Sequence, residues 1–270
     1  MKNVNAFGGG GHRRRPRKKE NNMPIPKVIH YCWFGKKEKS ELIKKCMESW
    51  KRFLPDYKII EWNEDNFDVN VCKYVREAYQ KKKWAFVSDY VRLYALYNHG
   101  GIYFDTDVEI LRPLDIFLQH DFFTGFESKD SPITAVIAAA KGNNLIKEFL
   151  AGYSKRTFVR ESGELDLTPN TQTITKAMLE KGIKRNGRKQ WIENENAVIY
   201  PQIYFCPNSL SMIWGHMSSK SYAVHHFDGS WLDASQRRNS RLPWRIKHYI
   251  VGKLRNIIGT DTLVRIQNGD

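Results

Sequence analysis

The sequence predicts an α/β protein, a single Rossmann-like domain in which a mostly parallel central sheet is flanked by helices. Short runs of β-branched and aromatic residues alternate along the chain with amphipathic helical segments, and the connections between them are short. Strand–helix–strand units of this kind pair their strands in parallel. With 270 residues, of which 41% are hydrophobic and 13% aromatic, the chain can fill a core of that size.

The first elements form a strand–helix–strand–helix series. KVIHYCWF at 27–34 is dense in β-branched and aromatic residues and predicts a buried strand. Ser40 is placed to cap a helix over 41–53, where apolar residues recur at helical spacing. YKIIEW at 57–62 predicts a second strand, and residues 71–82 predict a second helix.

The next segment carries the strongest local signals. WAFVSDYVRLYALYNHGG at 84–101 predicts a helix that its two final glycines end. IYFD follows as a strand, and VEILRPL either continues that strand or starts another. The pattern is looser after this point, with a strand-like ITAVIAAA, a helix near 143–152, a further helix, and the β-prone segments AVIYPQIYF and SYAVHHFDGSW.

Positive charge is concentrated at the two ends of the chain. The formal net charge is +15, of which residues 1–22 hold +6 and residues 237–270 hold another +6. We therefore predict a disordered basic tail at 1–22, a folded domain at 23–236 and a basic amphipathic C-terminal helix or tail at 237–270. Because the middle of the chain is near neutral and carries no recognised binding motif, nucleic acid is not an expected partner.

The sequence shows no secretory signal and no apolar stretch long enough to span a bilayer. The four cysteines are far apart in sequence and form no CxxC pair, which is typical of reduced core thiols rather than of a disulfide or zinc framework; they are Cys32, Cys46, Cys72 and Cys206. A cytoplasmic protein is expected, with peripheral attachment to the inner face of the membrane as an extension of that expectation.

Two carboxylates follow the strand IYF, at Asp105 and Asp107. In an extended segment alternate side chains share a face, so these two would point one way and Thr106 the other. Carboxylates at the carboxyl end of a parallel strand suit a divalent cation that also takes phosphate oxygens from a substrate. A bare DxD is a weak signal, and a solvated turn is the alternative interpretation. The preceding strand and the Gly-Gly helix end favour the metal site.

The helix before this strand places Ser88, Asp89 and Arg92 close together, since residues three apart share a helical face. One interpretation is an ordinary surface ion pair. The other is functional: Asp89 accepts a ribose hydroxyl, and Arg92 balances the negative charge of a donor.

Three segments together resemble the glycosyltransferase family 32 enzymes: IPKVIHYCWFG, AFVSDYVRLYALYNHGGIYFDTDVEIL and HHFDGSW. This family includes capsular polysaccharide sugar transferases and Och1-like mannosyltransferases, and it is distantly related to the glucosylating domain of the large clostridial toxins. The match runs in order over roughly residues 24–235. The resemblance implies a GT-A-type nucleotide-diphospho-sugar transferase fold, a nucleotide-sugar donor, a divalent ion (Mn²⁺ or Mg²⁺) and retention of anomeric configuration.

The resemblance also implies roles for individual residues. Trp33 matches a position that stacks on or packs beside the donor base, and Tyr103 matches a tyrosine near the diphosphate. Asp105 matches a carboxylate that contacts sugar hydroxyls or a metal-bound water, and Asp107 matches the direct metal ligand. The helix positions that touch ribose and the donor sugar correspond to Ser88, Asp89 and Arg92. Taken alone, without the resemblance, Trp33 and Tyr103 are more typical of core residues.

HHFDGSW at 225–231 resembles the closing metal-binding loop of related retaining transferases. His226 is the predicted metal ligand and His225 the second choice, because one residue of register decides which ring faces inward. Ser230 and Trp231 would close over the diphosphate. The toxin relatives use a different ligand type in this loop.

The predicted function is therefore a metal-dependent retaining hexosyltransferase of capsular or surface polysaccharide synthesis. Asp105, Asp107 and Arg92 are the predicted catalytic residues. A UDP-sugar is the favoured donor and a GDP-sugar the second choice; the acceptor is a saccharide, with a lipid-linked one as a candidate. Two alternatives are a basic nucleic-acid-binding protein and a nucleotidyl- or phosphotransferase that uses the same metal site.

Two further segments carry open alternatives. Residues 241–259 separate an apolar stripe from a basic one at helical spacing, which suits either an anionic membrane surface or a helix docked on the domain. LDLTPNTQ at 165–172 offers sugar-type hydrogen bonds from Asp166, Thr168 and Asn170, and is otherwise typical of a polar surface loop.

Overall fold

A seven-stranded sheet organises the part of the chain that the structure, a computed structural model, describes: residues 25–128, 130–207 and 219–229. Its strands and those of a small second sheet are β1 Val28–Cys32, β2 Lys58–Trp62, β3 Gly101–Phe104, β4 Val108–Ile110, β5 Phe122–Ser128, β6 Ser131–Ala139, β7 Gln190–Ile192, β8 Ala197–Tyr200 and β9 Ala223–His225. The helices of these ranges are α1 Glu41–Phe53, α2 Lys73–Gln80, α3 Trp84–His99, α4 Asn144–Ala151 and α5 Asn170–Glu180. The predicted basic segments 1–22 and 237–270 lie outside the described residues.

The main sheet has the strand order β2-β1-β3-β6-β5-β8-β7. Strands β1, β2 and β3 are parallel to one another, as are β5 and β8. Strand β6 is antiparallel to both of its neighbours, and β7 is antiparallel to β8. Five of these seven strands therefore point the same way. The predicted α/β class with a mostly parallel sheet and flanking helices is confirmed.

The predicted helix boundaries near the site agree with the structure. The Ser40 side chain accepts a hydrogen bond from the backbone N–H of Ile43 and caps α1. Helix α3 ends at Gly100, whose N–H donates to Leu96 O. Gly101 has φ of +115°, and a Cβ there would lie 2.4 Å from Val28 O. Only glycine fits this tight connection between α3 and β3.

Two apolar clusters cover the two faces of the sheet. One contains Tyr103 of β3 and packs against α2, α3, α4 and α5. The other contains Ile102 and Phe104 of the same strand and packs against α1 and the small sheet. The alternation along β3 thus divides its side chains between the two layers. By the same alternation, Asp105 follows on the α3 side.

Strand β4 does not continue β3. Residues 105–108 form a turn in which the N–H of Val108 donates to Asp105 O at 3.0 Å. After this turn, β4 leaves the main sheet and pairs antiparallel with β9. The extended geometry predicted for Asp105, Thr106 and Asp107 is therefore replaced by a turn, which brings β9 from the end of the described chain to the same place.

Helix α1 holds the small sheet in position through two buried hydrogen bonds. The indole Nε1 of Trp50 donates to Val108 O at 2.7 Å, and the N–H of Ile110 donates to Ser49 Oγ at 2.8 Å. Trp50 is fully buried, and its ring packs against Phe104. Both bonds fall on β4, directly after the turn that carries Asp107.

His30 joins the sheet to the end of α3 from a fully buried position. Its Nε2 lies 2.8 Å from Gly100 O, and its Nδ1 accepts from Trp62 Nε1 at 3.1 Å. Because a carbonyl only accepts and the indole only donates, the ring is neutral with the proton on Nε2. Burial lowers the pKa of His30 to about 4.

Two properties concern the whole described region. The cysteines Cys32, Cys46 and Cys206 are buried, Cys72 is half-buried, and all four are free thiols. Among the helices of the described ranges, none combines the length and the apolar content needed to cross a bilayer.

We expect Trp50→Phe to destabilise the protein by about 1–3 kcal/mol, because the buried Val108 carbonyl would lose its donor while the aromatic packing is largely kept. Urea denaturation followed by circular dichroism measures the change. The matched control is Trp191→Phe, since Trp191 is 48% exposed; its effect should stay within about 0.5 kcal/mol. Equal effects of the two substitutions would contradict the role given to the indole N–H.

The buried neutral His30 should make stability fall with acid. The unfolded chain takes up the proton near pH 6.5, whereas the folded chain does so only near pH 4. The contribution is therefore complete above pH 6.5 and is lost as the pH falls from 6.5 to 4. It amounts to about 3 kcal/mol. In urea titrations at pH 7 and pH 4.5, His30→Gln should lose less stability than the wild type; equal losses would contradict this origin.

Candidate functional site

The carboxyl ends of β1 and β3 meet at one edge of the sheet, and the candidate site lies there. Asp105 directly follows β3, Asp107 lies in the turn after it, and His225 ends β9. One ligand atom from each of these three side chains lies within 4.8 Å of the other two. Residues that are far apart in sequence thus form one group, because β9 pairs with the strand that follows the turn.

Arg92 of α3 supplies the positive charge behind this group. Its Nη2 lies 3.1 Å from Asp89 Oδ1 and 3.3 Å from Asp105 Oδ1. Its Nη1 donates to Thr134 O at 2.9 Å. The guanidinium also lies 4.6 Å from the centre of the Tyr103 ring. Arg92 is 5% exposed, so its orientation is set on every side by these contacts.

Asp89 is buried beside Arg92 and also caps another helix. Its Oδ2 accepts from the backbone N–H of Asn170, the first residue of α5, at 3.1 Å, and its backbone carbonyl accepts from Asn170 Nδ2 at 3.2 Å. Burial raises the pKa of Asp89 to about 6, although the attraction of Arg92 acts in the opposite direction. The interpretation as an ordinary exposed ion pair is excluded by this burial.

Asp107 is held by the segment that follows β9. The backbone N–H of Asp228 donates to Asp107 Oδ2 at 2.7 Å, and His225 Nε2 lies 3.3 Å from Asp107 Oδ1. Burial alone would raise the pKa of Asp107, but the attraction of His225 and the hydrogen bond from Asp228 outweigh it and lower the pKa to about 2. Asp107 is therefore ionised at neutral pH.

His225 forms the other half of this buried pair. Burial opposes a charge on its ring, but the neighbouring Asp107 raises the pKa of His225 well above the ordinary value. The Phe227 ring packs against the imidazole with 4.0 Å between the ring centres. The His225 Nδ1 atom is buried and makes no hydrogen bond within the described ranges.

His226, the predicted metal ligand, does not join this group. Its Nε2 lies 2.8 Å from Glu109 Oε2. Val108 is paired with His225 in the β4–β9 ladder, and the N–H of His226 donates to Asp107 O. Successive side chains of a strand point to opposite faces, so one residue of register separates the two imidazoles. The geometry therefore favours His225, the second choice, over His226.

The remaining predicted donor-site residues lie around the same sheet edge. Trp33 follows β1, is half-buried, and donates from Nε1 to Lys37 O at 2.7 Å. Ser88 is half-buried and offers its backbone carbonyl to Arg92 Nε at 3.3 Å. Tyr103 is buried, and its hydroxyl donates to Asp105 Oδ1 at 3.1 Å. Ser230 and Trp231 lie outside the described residues.

The segment 165–172 is tied to the protein more firmly than a surface loop. Asp166 accepts two hydrogen bonds from the Arg156 guanidinium, at 2.8 and 3.1 Å. Thr168 donates its N–H to Asp166. Asn170 is 1% exposed and holds Asp89. Two of the three side chains that were candidates for acceptor binding are therefore engaged by protein groups.

Sequence reasoning missed the contacts that backbone atoms make in the site. The Thr134 carbonyl and the Asp228 N–H have no side-chain signature, and they lie 42 and 121 residues from their partners. Asn170 was noticed as a polar residue, but not as the partner of Asp89. The signal available in the sequence was an asparagine that directly follows a proline at the start of a helical segment.

Removing the charge of Arg92 should lower the free energy of unfolding, because the carboxylates of Asp89 and Asp105 are unfavourable there without a cation. We expect Arg92→Met to destabilise the protein by about 3–5 kcal/mol, because Asp89 and Asp105 would lose their cation. Adding Asp89→Asn should recover part of that loss in a double-mutant cycle read by urea denaturation. Lys44→Met is the control, since the ion pairs of Lys44 are exposed; additive effects of Arg92→Met and Asp89→Asn would contradict the coupling.

Residues 40–124 match the family described as a glycosyltransferase sugar-binding region containing a DXD motif. This range includes α3, β3 and the two aspartates of the site. Among curated proteins, the chain is similar to inositol phosphoceramide mannosyltransferase 3 of Schizosaccharomyces pombe, with 26% identity over 145 residues. That alignment covers 50% of this chain and 38% of the relative, so the chain spans well under half of the relative's length.

Solved glycosyltransferases are similar in structure at low identity. The PaToxG glycosyltransferase has 19% identity and a TM-score of 0.40, over 58% of this chain and 70% of its own. A glycosyltransferase involved in glycosylation of the major capsid of PBCV-1 has 10% identity and a TM-score of 0.46, over 78% and 97%. Scores below 0.5 do not by themselves establish a shared fold. The resemblance predicted from the sequence is confirmed by the family match, in which residues 40–124 are similar to a glycosyltransferase sugar-binding region that contains a DXD motif.

Proposed function

We propose that the protein is a metal-dependent retaining glycosyltransferase that moves a sugar from a nucleotide-sugar donor to a saccharide acceptor. The observation that carries this proposal is the convergence of Asp105, Asp107 and His225 at the carboxyl edge of the sheet. The two aspartates lie inside the region that matches the glycosyltransferase family. Ligands of open α/β sheets bind at this edge. A GT-A-type arrangement is part of the same proposal.

The three side chains suit a divalent cation. Two carboxylate oxygens and one imidazole nitrogen lie within 4.8 Å of one another. The His225 nitrogen would become a ligand when the ion displaces the ring proton that Asp107 stabilises in the absence of the ion. Carboxylates are typical ligands of Mg²⁺ and Mn²⁺, and the nitrogen favours Mn²⁺ because Mg²⁺ prefers oxygen. When bound, the ion supplies Lewis-acid stabilisation of the diphosphate leaving group.

The protein's own groups prepare the donor site. Asp107 would hold the ion directly. The Asp228 N–H and His225 orient its carboxylate. Asp105 is the most exposed of the group, with 27% of its side chain accessible, so it can reach both the ion and a sugar hydroxyl. Arg92 fixes Asp105 and keeps positive charge next to the position proposed for the diphosphate, which contributes electrostatic stabilisation.

The other donor contacts are proposed on position. Trp33 follows β1 and is half-buried, and a nucleoside base is proposed to pack beside it. Ser88 and Asp89 line the helix face next to Arg92, and Tyr103 lies beneath Asp105. Ser230 and Trp231 complete the proposed set from the segment after His225.

Retention of configuration is proposed to occur by front-face attack of the acceptor hydroxyl, with the departing phosphate accepting its proton. The bond from the anomeric carbon to the phosphate oxygen breaks as the new glycosidic bond forms on the same face. The carboxylates closest to the site are engaged: Asp89 by Arg92 and Asn170, Asp105 by Arg92 and Tyr103, and Asp107 by His225 and Asp228. This engagement argues against a covalent sugar intermediate on any of the three.

A UDP-sugar is the first candidate donor and a GDP-sugar the second. The name of the yeast relative specifies a mannosyl transfer to a ceramide lipid, which makes a mannose donor worth testing in the second class. A lipid-linked acceptor also fits the proposed attachment of residues 241–259 to an anionic membrane. A role in capsular or surface polysaccharide synthesis is the biological setting of this proposal.

Thermal-shift measurements with and without Mn²⁺ test the proposal. Selective binding of a nucleotide sugar to the folded state raises its melting temperature by mass action. We expect one UDP- or GDP-sugar to stabilise the wild type only when Mn²⁺ is present, and we expect this stabilisation to be lost in Asp107→Ala. Asp68→Ala, at an exposed position outside the site, is the matched control and should respond like the wild type.

Product analysis separates this function from a nucleotidyl- or phosphotransferase that uses the same ion. A glycosyltransferase transfers the sugar alone to the acceptor and releases the nucleoside diphosphate, whereas the alternatives transfer a phosphorus-containing group. If no nucleotide sugar stabilised the protein with Mn²⁺, or if Asp107→Ala responded like the wild type, the proposed function would be contradicted. If no nucleotide sugar stabilised the protein but bulk DNA gave a salt-sensitive gel shift, the nucleic-acid alternative would be favoured.

A further inference from the structure

Glu109 and His226 form a half-buried pair next to the candidate metal site but outside its ligand group. His226 Nε2 and Glu109 Oε2 are 2.8 Å apart, and the side chains are 10% and 21% exposed. An ionised carboxylate only accepts hydrogen bonds, so Nε2 carries the proton in this contact. That nitrogen is therefore committed to Glu109 and is not available to an ion.

This pair closes the segment 225–228 onto the turn that carries Asp107. Strands β4 and β9 are in register from Ile110–Ala223 to Val108–His225. Beyond the ladder, the His226 N–H donates to Asp107 O at 3.0 Å, and the Asp228 N–H donates to Asp107 Oδ2 at 2.7 Å. The Glu109–His226 contact adds a hydrogen bond between two side chains to these bonds.

Helix α1 supports the Glu109 side of the pair. Lys45 Nζ lies 3.7 Å from Glu109 Oε1, so the carboxylate has a partner at each oxygen. The neighbouring positions of β4 are fixed by Trp50 and Ser49. Contacts with α1 thus hold Glu109 and its strand in place. The segment after β9, in contrast, follows a strand of only three residues.

Resting on the proposed function, we propose that Glu109 is a positioning residue of the metal site: through His226 it holds segment 225–228 so that the His225 ring and the Asp228 N–H meet Asp107. Residues that orient metal ligands through hydrogen bonds typically change metal affinity 10–100-fold when they are removed. His226 thus orients the metal ligands and does not take the ligand role expected from the sequence.

The test is Mn²⁺ binding by the full chain, with free Mn²⁺ measured by electron paramagnetic resonance. We expect Glu109→Ala and His226→Leu each to weaken Mn²⁺ affinity about 10–100-fold. The double variant should bind Mn²⁺ as tightly as the single variant with the lower affinity, because both substitutions remove the same hydrogen bond. Glu109→Gln should stay within about 3-fold of the wild type, because its amide oxygen still accepts from Nε2. The matched control is Glu48→Ala, an exposed glutamate of α1.

Three outcomes would overturn this inference. Unchanged Mn²⁺ affinity in Glu109→Ala would remove the positioning role. Equal losses in Glu109→Gln and Glu109→Ala would show that the charge of Glu109 matters and its hydrogen bond does not. Additive losses in the double variant would show that the two side chains act separately.

Folding and the proposed function are checked separately. In thermal denaturation without Mn²⁺, the melting temperature of every variant should be close to that of the wild type. If Glu109→Ala does not fold, Glu109→Asp replaces it: the shorter side chain keeps the charge but withdraws the oxygen, so affinity should still fall while Glu109→Gln retains it. Asp107→Ala reports on the proposed metal site itself. Mn²⁺ binding that survives Asp107→Ala would contradict the proposed function and not the positioning role alone.

Discussion

One buried guanidinium makes the acidic edge of this sheet possible. Asp89, Asp105 and Asp107 lie at or near the carboxyl ends of β1 and β3, and like charges this close to a core are unfavourable without a cation. Arg92 faces the first two at 3.1 and 3.3 Å. Asp107 is balanced instead by His225 and an N–H from the segment after β9. The site therefore has one compensated half on α3 and another half that depends on a distant part of the chain.

The topology explains how these halves meet. The antiparallel strand β6 lies between β3 and β5, and its Thr134 carbonyl accepts a hydrogen bond from Arg92. The turn after Asp105 takes the chain out of the main sheet, and β4 then offers an edge to β9. Trp50 and Ser49 of α1 fix that edge. A site built from one continuous motif in the sequence is thus completed by two segments that follow it much later.

Much of this arrangement follows from local patterns. Helix α1 with its Ser40 cap, helix α3 with its glycine end, and the placement of Asp105 after a buried strand were all predicted, because capping, periodicity and glycine conformations are local properties. The choice between His225 and His226 was not settled by local signals, since it depends on the register of β9 against β4. The turn at 105–108 was also missed, because the sequence DTDV is compatible with both an extended and a turned backbone. The Thr134 and Asp228 contacts use backbone atoms, which any residue supplies.

The cap that Asp89 provides to α5 has a consequence for protein engineering. The same carboxylate balances Arg92 through one oxygen and satisfies the first N–H of a helix through the other. Exchanging Asp89 would simultaneously loosen the start of α5 and leave the Arg92 guanidinium without one of its two carboxylates. Altered selectivity at that position would therefore require compensating changes at Arg92 and Asn170, so the three residues should be varied together in a library rather than one at a time.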